Sequence, residues 1–567
     1  MKKLFFLITS YSLLNLQCTA QPLSQKGKFT HQDTLRGSIG PERDWWDVLH
    51  YDIHVTPDYD AKSINGETTI QYRVIKDKYS DYLQIDLQQP LKIDTIYYDG
   101  KLYINYPQKP YYNEGNVWHV PLPKASKNSV HSISIFYHGN PRIAKNPPWD
   151  GGWIFTKDAQ GRPWMTVACQ GLGASVWYPC KDHQSDEPNN GATLSITVDT
   201  SLVAVGNGKL KEKKSNDGTT TWTWEVKDPI NNYNIIPYIG KYVNFSEVYK
   251  GEKGKLDLNY WVLDYNLEKA KSYMPPEVHN MLNAFEHWFG PYPFYEDGYQ
   301  LIETSHTGME HQSAVSYGNW YKPGYRGRDG SGTGWGMKWD FIIIHESGHE
   351  WFGNNITTND LADMWVHEGF TNYSETLFIG YIFNEDAANA YNAGIRRGIR
   401  NDRPVVAKYN VNDQGSGDMY PKPSNMLHAI RHGLDNDELF RKILRGLNST
   451  FYHKTVTTQQ VENYISEKAG FDYSKVFDQY LRTIQVPEFD FHFSIGKKKV
   501  FYRYSNCVKG FNLPLTLKNN AAKIKIIPSG QWQTLSLKGS EAELFEKSAI
   551  EKMYYVTVVE TESKNDK

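Results

Sequence analysis

The chain has 567 residues, which is too long for one domain and, at about 150 residues per domain, predicts three or four. Hydrophobic residues make up 39% and charged residues 22%, so there is enough apolar material for folded cores. The net charge is −2 and no basic segment alternates with aromatic residues, which argues against a nucleic-acid-binding protein or a protein that binds an anionic membrane surface.

The N-terminus has the pattern of a secretory signal peptide. Two lysines follow Met1, and the apolar run from Leu4 to Leu16 is too short to span a bilayer. We expect a signal peptide over residues 1–20 and an N-terminal extension over 21–44. The mature protein would then be exported to the periplasm or the extracellular space. No later segment is long and apolar enough to predict a transmembrane helix.

The four cysteines leave two questions open. Lipid attachment at Cys18 is the alternative to soluble export, and the polar residues just before it are unusual in a lipoprotein signal. In an oxidising compartment Cys169 and Cys180 could pair and leave Cys507 free. The other interpretation is that these thiols are buried as small apolar groups. No cysteine spacing predicts a metal site.

Residues 45–250 alternate between apolar and polar side chains with a period of two. Thr68, Ile70, Tyr72 and Val74 are one example, and turn pairs such as Asn65-Gly66 separate the alternating segments. Short alternating segments joined by such turns predict an antiparallel β domain.

The period changes over residues 251–486. Apolar residues from Met281 to Phe289 recur at helical spacing, with Pro275-Pro276 at the expected start and Gly290 at the end. Tyr299 to Thr304 can form a strand. Further helices are expected around the H-E-x-x-H and Glu368 segments discussed below, from about Ser424, from Asp437, after the cap residue Thr457, and over Val476 to Arg482.

Alternation returns over residues 487–560, as in Phe489, Phe491 and Phe493. This pattern predicts a small C-terminal β-sandwich. The charged tail over 561–567 is expected to be disordered.

The strongest chemical signal is His345-Glu346-Ser347-Gly348-His349, at the end of an apolar run. On a helix, positions i and i+4 lie on one face about 6 Å apart along the axis, so both imidazoles can reach one metal ion. Glu346 between them is placed to take a proton from a metal-activated water. The pattern predicts a zinc-binding helix. Until a third ligand is found, a helix that carries these residues by chance is the alternative.

Glu368 is the candidate third ligand. Eighteen residues separate it from His349, enough for one helix to end and a second helix to return a carboxylate to the metal. Two histidines and one glutamate leave the fourth zinc position open for water, which is typical of catalytic rather than structural zinc. We therefore expect one Zn²⁺ per chain, bound by His345, His349 and Glu368.

The run from His345 to Asn354, followed at this spacing by Trp365 to Phe370, resembles the zinc aminopeptidase family of aminopeptidase N. These gluzincin aminopeptidases also include the leukotriene epoxide hydrolases. The resemblance implies a multidomain α+β fold with an N-terminal antiparallel β domain, a thermolysin-like, mostly helical catalytic domain and a small C-terminal β-sandwich. The long C-terminal helical domain of many members is expected to be absent here, which would leave the cleft more open.

The segment from Thr307 to His311 resembles the exopeptidase motif of that family. By that resemblance Gly308, Met309 and Glu310 bind substrate, and Glu310 holds the substrate α-ammonium. Thr307 replaces the usual first glycine of the motif and His311 replaces its asparagine. These departures concern backbone shape and local hydrogen bonds rather than the anionic anchor.

The resemblance assigns two more polar residues. Gln170 takes the position of a family Gln or Glu that also holds the substrate amine, so the β domain would form one wall of the active site. Glu375, seven residues after Glu368, takes the position of a carboxylate that orients a zinc-ligand imidazole.

Tyr420 lies where the family places a tyrosine just ahead of a helix. The resemblance implies that its hydroxyl donates to the oxyanion of the tetrahedral intermediate. Pro421 and Pro423 depart from the usual segment, and Tyr409 is the nearest upstream competitor.

These residues together predict a zinc metallo-aminopeptidase that hydrolyses the N-terminal bond of peptides with a free N-terminus, with metal-activated water and Glu346 as general base. Three alternatives remain: a catalytically silent peptide-binding protein on the same fold, a zinc endopeptidase, and an epoxide hydrolase. The preferred N-terminal residue and the oligomeric state cannot be predicted from the sequence.

Overall fold

The computed structural model describes residues 28–103 and 110–562. The expected signal peptide over 1–20, Cys18 and residues 563–567 of the expected tail lie outside the described residues. None of the helices within those two ranges combines the length and the apolar character needed to cross a bilayer.

The N-terminal part of the described chain is one short helix followed by β-strands. Its elements are α1 (His31–Gly37), β1 (Trp46–Asp58), β2 (Ser63–Val74), β3 (Tyr82–Asp86), β4 (Lys92–Tyr98), β5 (Lys101–Leu102), β6 (Tyr112–Glu114), β7 (Val117–Pro121), β8 (Val130–Gly139), β9 (Gly152–Lys157), β10 (Pro163–Ala168), β11 (Ala192–Asp199), β12 (Val203–Val205), β13 (Lys209–Asn216), β14 (Thr219–Val226) and β15 (Tyr238–Gly240).

These strands form three sheets around one core. The largest has the order β13-β14-β11-β1-β2-β8-β4-β5, and the others have the orders β12-β15-β10-β9 and β3-β7-β6. Side chains that alternate inward, such as Ile70 and Tyr72, are buried, as the period of two requires. The largest sheet departs from the expected antiparallel arrangement at one pair, because β1 and β11 are parallel. Alternation fixes which face is buried but not the direction of the neighbouring strand.

The catalytic part mixes a small sheet with helices. Its elements are β16 (Tyr242–Gly251), β17 (Gly254–Leu263), α2 (Leu267–Phe289), β18 (Tyr299–Glu303), β19 (Gly308–Met309), β20 (Val315–Tyr317), α3 (Phe341–Gly348), β21 (Ile356–Thr358), α4 (Trp365–Ile382), α5 (Glu385–Ile395), α6 (Pro421–Leu434), α7 (Asp437–Thr450), β22 (Lys454–Val456), α8 (Thr458–Ala469) and α9 (Ser474–Arg482).

The five-stranded sheet of this part has the order β16-β17-β18-β20-β19, so β19 lies at its edge. The hairpin of β16 and β17 pairs with β18. The boundary expected between residues 250 and 251 therefore falls inside a hairpin that belongs to the catalytic sheet.

Two helix boundaries differ from the sequence prediction. Helix α2 begins at Leu267 and contains Pro275 and Pro276, which were expected at its start. Helix α6 begins at Pro421 rather than near Ser424. Proline is tolerated in the first turn of a helix because its missing N–H has no intrahelical partner there, which fits Pro421 at the start of α6. Pro275 and Pro276 instead lie in the interior of α2, about two turns after Leu267, where proline removes an intrahelical hydrogen bond, so this pair did not mark the helix start.

The C-terminal part contains β23 (Glu488–Phe493), β24 (Lys499–Ser505), β25 (Leu515–Lys518), β26 (Lys523–Ile526), β27 (Gln533–Ser536), α10 (Lys547–Met553) and β28 (Thr557–Glu560). It forms a four-stranded sheet, β27-β24-β23-β28, and the hairpin of β25 and β26. Buried residues of this part, among them Phe489 and Leu515, share one core with the catalytic helices. No long helical domain follows these strands within the described residues.

The three cysteines among the described residues are free thiols. Cys169 and Cys180 are buried and unpaired, and Cys507 is half-buried. Burial raises the pKa of Cys169 and of Cys180 well above the usual value. Of the two interpretations left open by the sequence, the structure contains the buried thiols and not the disulfide.

Candidate active site

The helix that begins the H-E-x-x-H segment, α3, is buried and has a capped N-terminus. Its N-cap is Asp340, whose carboxylate accepts a hydrogen bond from the Ile343 N–H at 3.0 Å. The hydroxyls of Tyr273 and Tyr317 also donate to Asp340, at 3.0 and 2.9 Å. These contacts fix where α3 begins and therefore where its histidines point.

The structure brings the three predicted metal ligands together. Glu368 Oε2 lies 3.8 Å from His345 Nε2 and 3.4 Å from His349 Nε2. His349 directly follows the last residue of α3 but keeps helical backbone angles, so the i, i+4 relation with His345 holds. Glu368 lies in the first turn of α4. The candidate ligand atoms all lie within 4.8 Å of one another.

The donor set fits a zinc ion. Glu368 is 2% exposed, and its Oε2 is buried without a hydrogen-bond partner. A buried carboxylate oxygen without a partner is costly, and a bound cation would satisfy it. Two imidazole nitrogens and one carboxylate oxygen match a catalytic zinc site with one position left open.

The other nitrogen of each imidazole is hydrogen-bonded in a way that directs Nε2 toward this point. His345 Nδ1 lies 2.7 Å from Glu375 Oε1, and His349 Nδ1 lies 3.0 Å from the Phe352 carbonyl. A carboxylate and a carbonyl only accept, so each Nδ1 carries the proton and each Nε2 keeps a free lone pair. Glu375 is itself held by Tyr391, whose hydroxyl donates to Oε2 at 2.5 Å.

Helices α3 and α4 approach closely at a glycine. A Cβ atom at Gly348 would lie 2.7 Å from Ser374 Oγ. Glycine at this position therefore lets α3, which carries His345 and is followed by His349, lie close to α4, which carries Glu368.

Glu346 faces the edge strand β19. A Cβ at Gly308 would lie 2.8 Å from Glu346 Oε1, so glycine lets the strand pass directly over this carboxylate. Burial raises the pKa of Glu346 to about 7; the His345 imidazole opposes the shift and the Glu310 carboxylate adds to it. Glu346 lines a cavity together with Glu310, His345, His349 and Glu368.

The structure also brings together the two residues predicted to bind the substrate amine. Gln170, just after β10, donates from Nε2 to Glu310 Oε1 at 2.6 Å, across 140 residues of sequence. The Tyr233 hydroxyl donates to the same oxygen at 2.9 Å. Burial raises the pKa of Glu310, so a cationic group that enters the site would compensate its charge. Gln170 Oε1 is buried without a partner and is a further acceptor for such a group.

Thr307 and His311, the two departures from the exopeptidase motif, both form hydrogen bonds with neighbouring residues. The Thr307 carbonyl accepts the Gly318 N–H at 2.8 Å. His311 Nδ1 lies 2.5 Å from the Tyr238 hydroxyl and 3.1 Å from Ser316 Oγ. Burial lowers the pKa of His311 well below its usual value, so the imidazole is neutral and brings no positive charge next to Glu310.

Tyr420 lies in the wall of the same cavity as the metal ligands. Its ring centroid is 6.2 Å from that of His345. Burial raises the pKa of its hydroxyl well above the usual value, and Glu368 adds to the shift, so the group keeps its proton and can donate. The competitor Tyr409 instead donates to Asp363 Oδ1 at 2.6 Å.

Three contributors were not predicted. The Tyr233 hydroxyl donates to Glu310, and Thr371 Oγ1 lies 3.1 Å from His349 Nδ1. Trp149 of the β domain lines the cavity that contains the candidate metal ligands, which we call the metal cavity. Tyr233 and Trp149 are distant in sequence from the zinc segments, and among 40 tyrosines and 17 tryptophans no local pattern marks them. Thr371 lies one turn after Glu368 on α4, so the two side chains share a face, and this spacing could have indicated that Thr371 also lies near the candidate metal ligands.

Two family models match the chain. The Peptidase M1 N-terminal domain matches residues 48–233, and the Peptidase family M1 domain matches residues 331–480. The second match contains the three candidate ligands, Glu346, Glu375 and Tyr420.

Curated relatives agree at low identity. Probable aminopeptidase 2 of Sulfurisphaera tokodaii is 22% identical over 64% of this chain and 47% of its own length. Aminopeptidase N of Lactococcus lactis subsp. lactis is 20% identical over 76% and 50%, and leukotriene A-4 hydrolase of Xenopus laevis is 21% identical over 74% and 67%. The chain thus spans about half the length of the first two.

The solved structures confirm the expected fold. The M1 zinc metallopeptidase of Deinococcus radiodurans aligns with a TM-score of 0.64 at 21% identity, covering 78% of this chain and 95% of that one. A mutant of it bound to a Tyr-Ser-Ala substrate aligns with a TM-score of 0.65 at 19% identity, with the same coverage. Together with the two matched models, these likenesses confirm the predicted resemblance: the chain belongs to peptidase family M1.

Proposed function

We propose that this protein is a zinc-dependent aminopeptidase that hydrolyses the N-terminal bond of peptides. The observation that carries the proposal is the Gln170–Glu310 pair, joined at 2.6 Å, on the wall beside the His345, His349 and Glu368 centre. An anionic anchor beside a hydrolytic site binds the substrate's free amine, and the position of that amine then determines that the first peptide bond is cleaved.

His345, His349 and Glu368 would hold the zinc ion. When bound, zinc polarises the scissile carbonyl and lowers the pKa of water to about 7. Glu346 takes the proton from the attacking water and returns it to the leaving amine. Glu375 fixes the ring of His345 through the 2.7 Å contact at Nδ1. Tyr420 donates its hydroxyl to the oxyanion that forms at the attacked carbonyl.

The substrate backbone is placed by the edge strand. Gly308 and Met309 pair with β20, and β19 is the edge strand of this sheet within the described residues, the position at which an extended peptide can add to a sheet. Along that strand the next residue is Glu310, whose carboxylate would bind the α-ammonium. A substrate whose amine is bound there presents its first peptide bond near Glu346, because Gly308 passes directly over that carboxylate.

The test uses a panel of aminoacyl fluorogenic substrates. We expect hydrolysis by the zinc-loaded protein, none after chelation, and recovery when zinc is restored. The Glu346→Gln variant should bind zinc stoichiometrically and lose turnover, because only the proton transfer is removed. Stoichiometric zinc without hydrolysis of any substrate would instead identify a silent peptide-binding protein.

Export is the second part of the proposal and is supported by the sequence of residues 1–20. N-terminal sequencing of protein secreted by the native host should give Gln21 as the first residue. A lipid-modified Cys18 at the N-terminus would show an anchored protein instead.

A further inference from the structure

A second cavity, of about 370 Å³, lies beside the amine anchor. Gln170 and Gly171 form part of its wall, and Trp149 lines both this cavity and the metal cavity. A peptide whose amine is held by Gln170 and Glu310 therefore has this space next to the side chain of its first residue. This inference rests on the proposed aminopeptidase function.

One wall of the cavity comes from the segment before the first strand. Gln32, Asp33 and Arg36 of α1 face it. The Asn412 N–H donates to the Asp33 carbonyl at 3.1 Å, and a Cβ at Gly37 would lie 2.2 Å from the Val411 carbonyl carbon. Helix α1 is thus packed directly against the segment that carries Gln414. It precedes residue 48, where the family match begins, so this wall is additional to the matched domains.

Most residues that line the cavity have polar or charged side chains, and the charged ones already form hydrogen bonds or ion pairs. Apolar side chains in the lining are Val117, Trp149 and Leu172. Asp33 accepts the Thr30 N–H at 2.8 Å. The other charged lining residues form the ion pairs Arg36–Asp182, Arg43–Asp86, Arg142–Asp150 and Arg403–Asp413. A charged substrate side chain would therefore compete with an existing ion pair.

Gln414 is a polar lining residue whose side chain, unlike the charged ones, has no hydrogen-bond partner. It is 5% exposed, and both its Nε2 and its Oε1 are buried without a hydrogen-bond partner. Its amide lies over Gly171, where a Cβ would be 2.7 Å from Nε2, so the glycine makes room for it. A buried amide with an unused donor and an unused acceptor is costly unless a ligand or water completes it.

We propose that this cavity receives the side chain of the substrate's N-terminal residue and that Gln414 selects side chains that carry a carboxamide, glutamine and asparagine. A second carboxamide offers one donor and one acceptor, the complement of what Gln414 presents. A site built to hydrogen-bond a substrate group discriminates against an apolar side chain of equal size, because its own polar atoms are then left unpaired.

The test compares glutaminyl-alanine with norleucyl-alanine, which has an unbranched apolar side chain of similar length. For the wild-type protein we expect kcat/KM to favour the glutaminyl substrate. In Gln414→Met the ratio should fall about tenfold or more, mainly through slower hydrolysis of the glutaminyl substrate.

Gln88→Met is the matched control, because Gln88 lines the same cavity but its Nε2 already donates to the Leu172 carbonyl at 2.8 Å. This variant should keep the wild-type ratio. An unchanged ratio in Gln414→Met, or an equal fall in both variants, would overturn the assignment while leaving the peptidase function intact.

A binding measurement separates the two proposals. Calorimetry on the zinc-loaded Glu346→Gln variant should show tighter binding of glutaminyl-alanine than of norleucyl-alanine, and the additional Gln414→Met change should remove the difference. Equal binding of the two dipeptides before that change would overturn the role of Gln414. A wild-type protein that cleaves neither dipeptide but binds them with this preference would instead contradict the peptidase function alone.

Discussion

Replacing Glu375 by glutamine tests whether the hydrogen-bond partner of His345, a proposed zinc ligand, affects the affinity of the site for zinc. Glu375 is fully buried, and its Oε1 lies 2.7 Å from His345 Nδ1. Glutamine has nearly the same shape and can still accept from that nitrogen, while its amide group meets the Tyr391 hydroxyl on the other side. The change thus removes the charge but keeps the packing.

The expected loss is about 10–100-fold in zinc affinity, the usual effect of such a change, or about 1.4–2.8 kcal/mol. It arises because the carboxylate makes the imidazole more basic and holds its ring in place. Competition with a chelator of known affinity measures the effect directly and does not depend on activity. With saturating zinc, Glu375→Gln should recover most of its turnover.

Tyr391→Phe serves as the graded comparison, because it removes one hydrogen bond to Glu375 and keeps the carboxylate. Its zinc affinity should fall less than that of Glu375→Gln. If Glu375→Gln binds zinc as tightly as wild type, the carboxylate does not tune His345 and the reasoning is refuted.

Three further predictions concern the oxyanion, the amine anchor and a buried histidine. Tyr420→Phe should lower kcat about 10²–10³-fold with little change in KM in steady-state kinetics, because the lost donor acts on the transition state. Glu310→Gln should lower kcat/KM for free-amine peptides about 10–150-fold; an equal loss on N-acetylated peptides would contradict the anchor. Burial, with Arg431 adding, lowers the pKa of His432 to about 3, so the folded protein keeps it neutral whereas the unfolded chain protonates near pH 6.5. Its contribution to stability is complete above that pH and is lost on acidification, so wild type should lose about 1.4 kcal/mol of unfolding free energy between pH 7.5 and 5.5 relative to His432→Asn, measured by urea titration.

The grouping of the three candidate metal ligands could be predicted because its geometry is mostly local. His345 and His349 are related by one helical turn, and Glu368 follows at a distance that allows one helix–turn–helix connection. The anchor residues could be named only through the family resemblance, since Gln170 and Glu310 meet across 140 residues.

What could not be predicted depends on long-range packing. Tyr233 reaches Glu310 across 77 residues, and nothing near it distinguishes it from the other tyrosines. Gln414 becomes informative only once its neighbours are known, because an amide is unremarkable until both of its polar atoms are buried without partners. The parallel pairing of β1 with β11 was missed because the alternation of buried and exposed residues is the same for both strand directions.

The central claim is that the protein hydrolyses the peptide bond next to a free N-terminal amine. It is tested most directly by incubating the zinc-loaded protein with one peptide in two forms, with a free and with an acetylated N-terminus, and by following products with mass spectrometry. The account predicts stepwise release of single N-terminal residues from the free form and almost none from the acetylated form. Cleavage of both forms at the same internal bond and rate would contradict it and identify an endopeptidase.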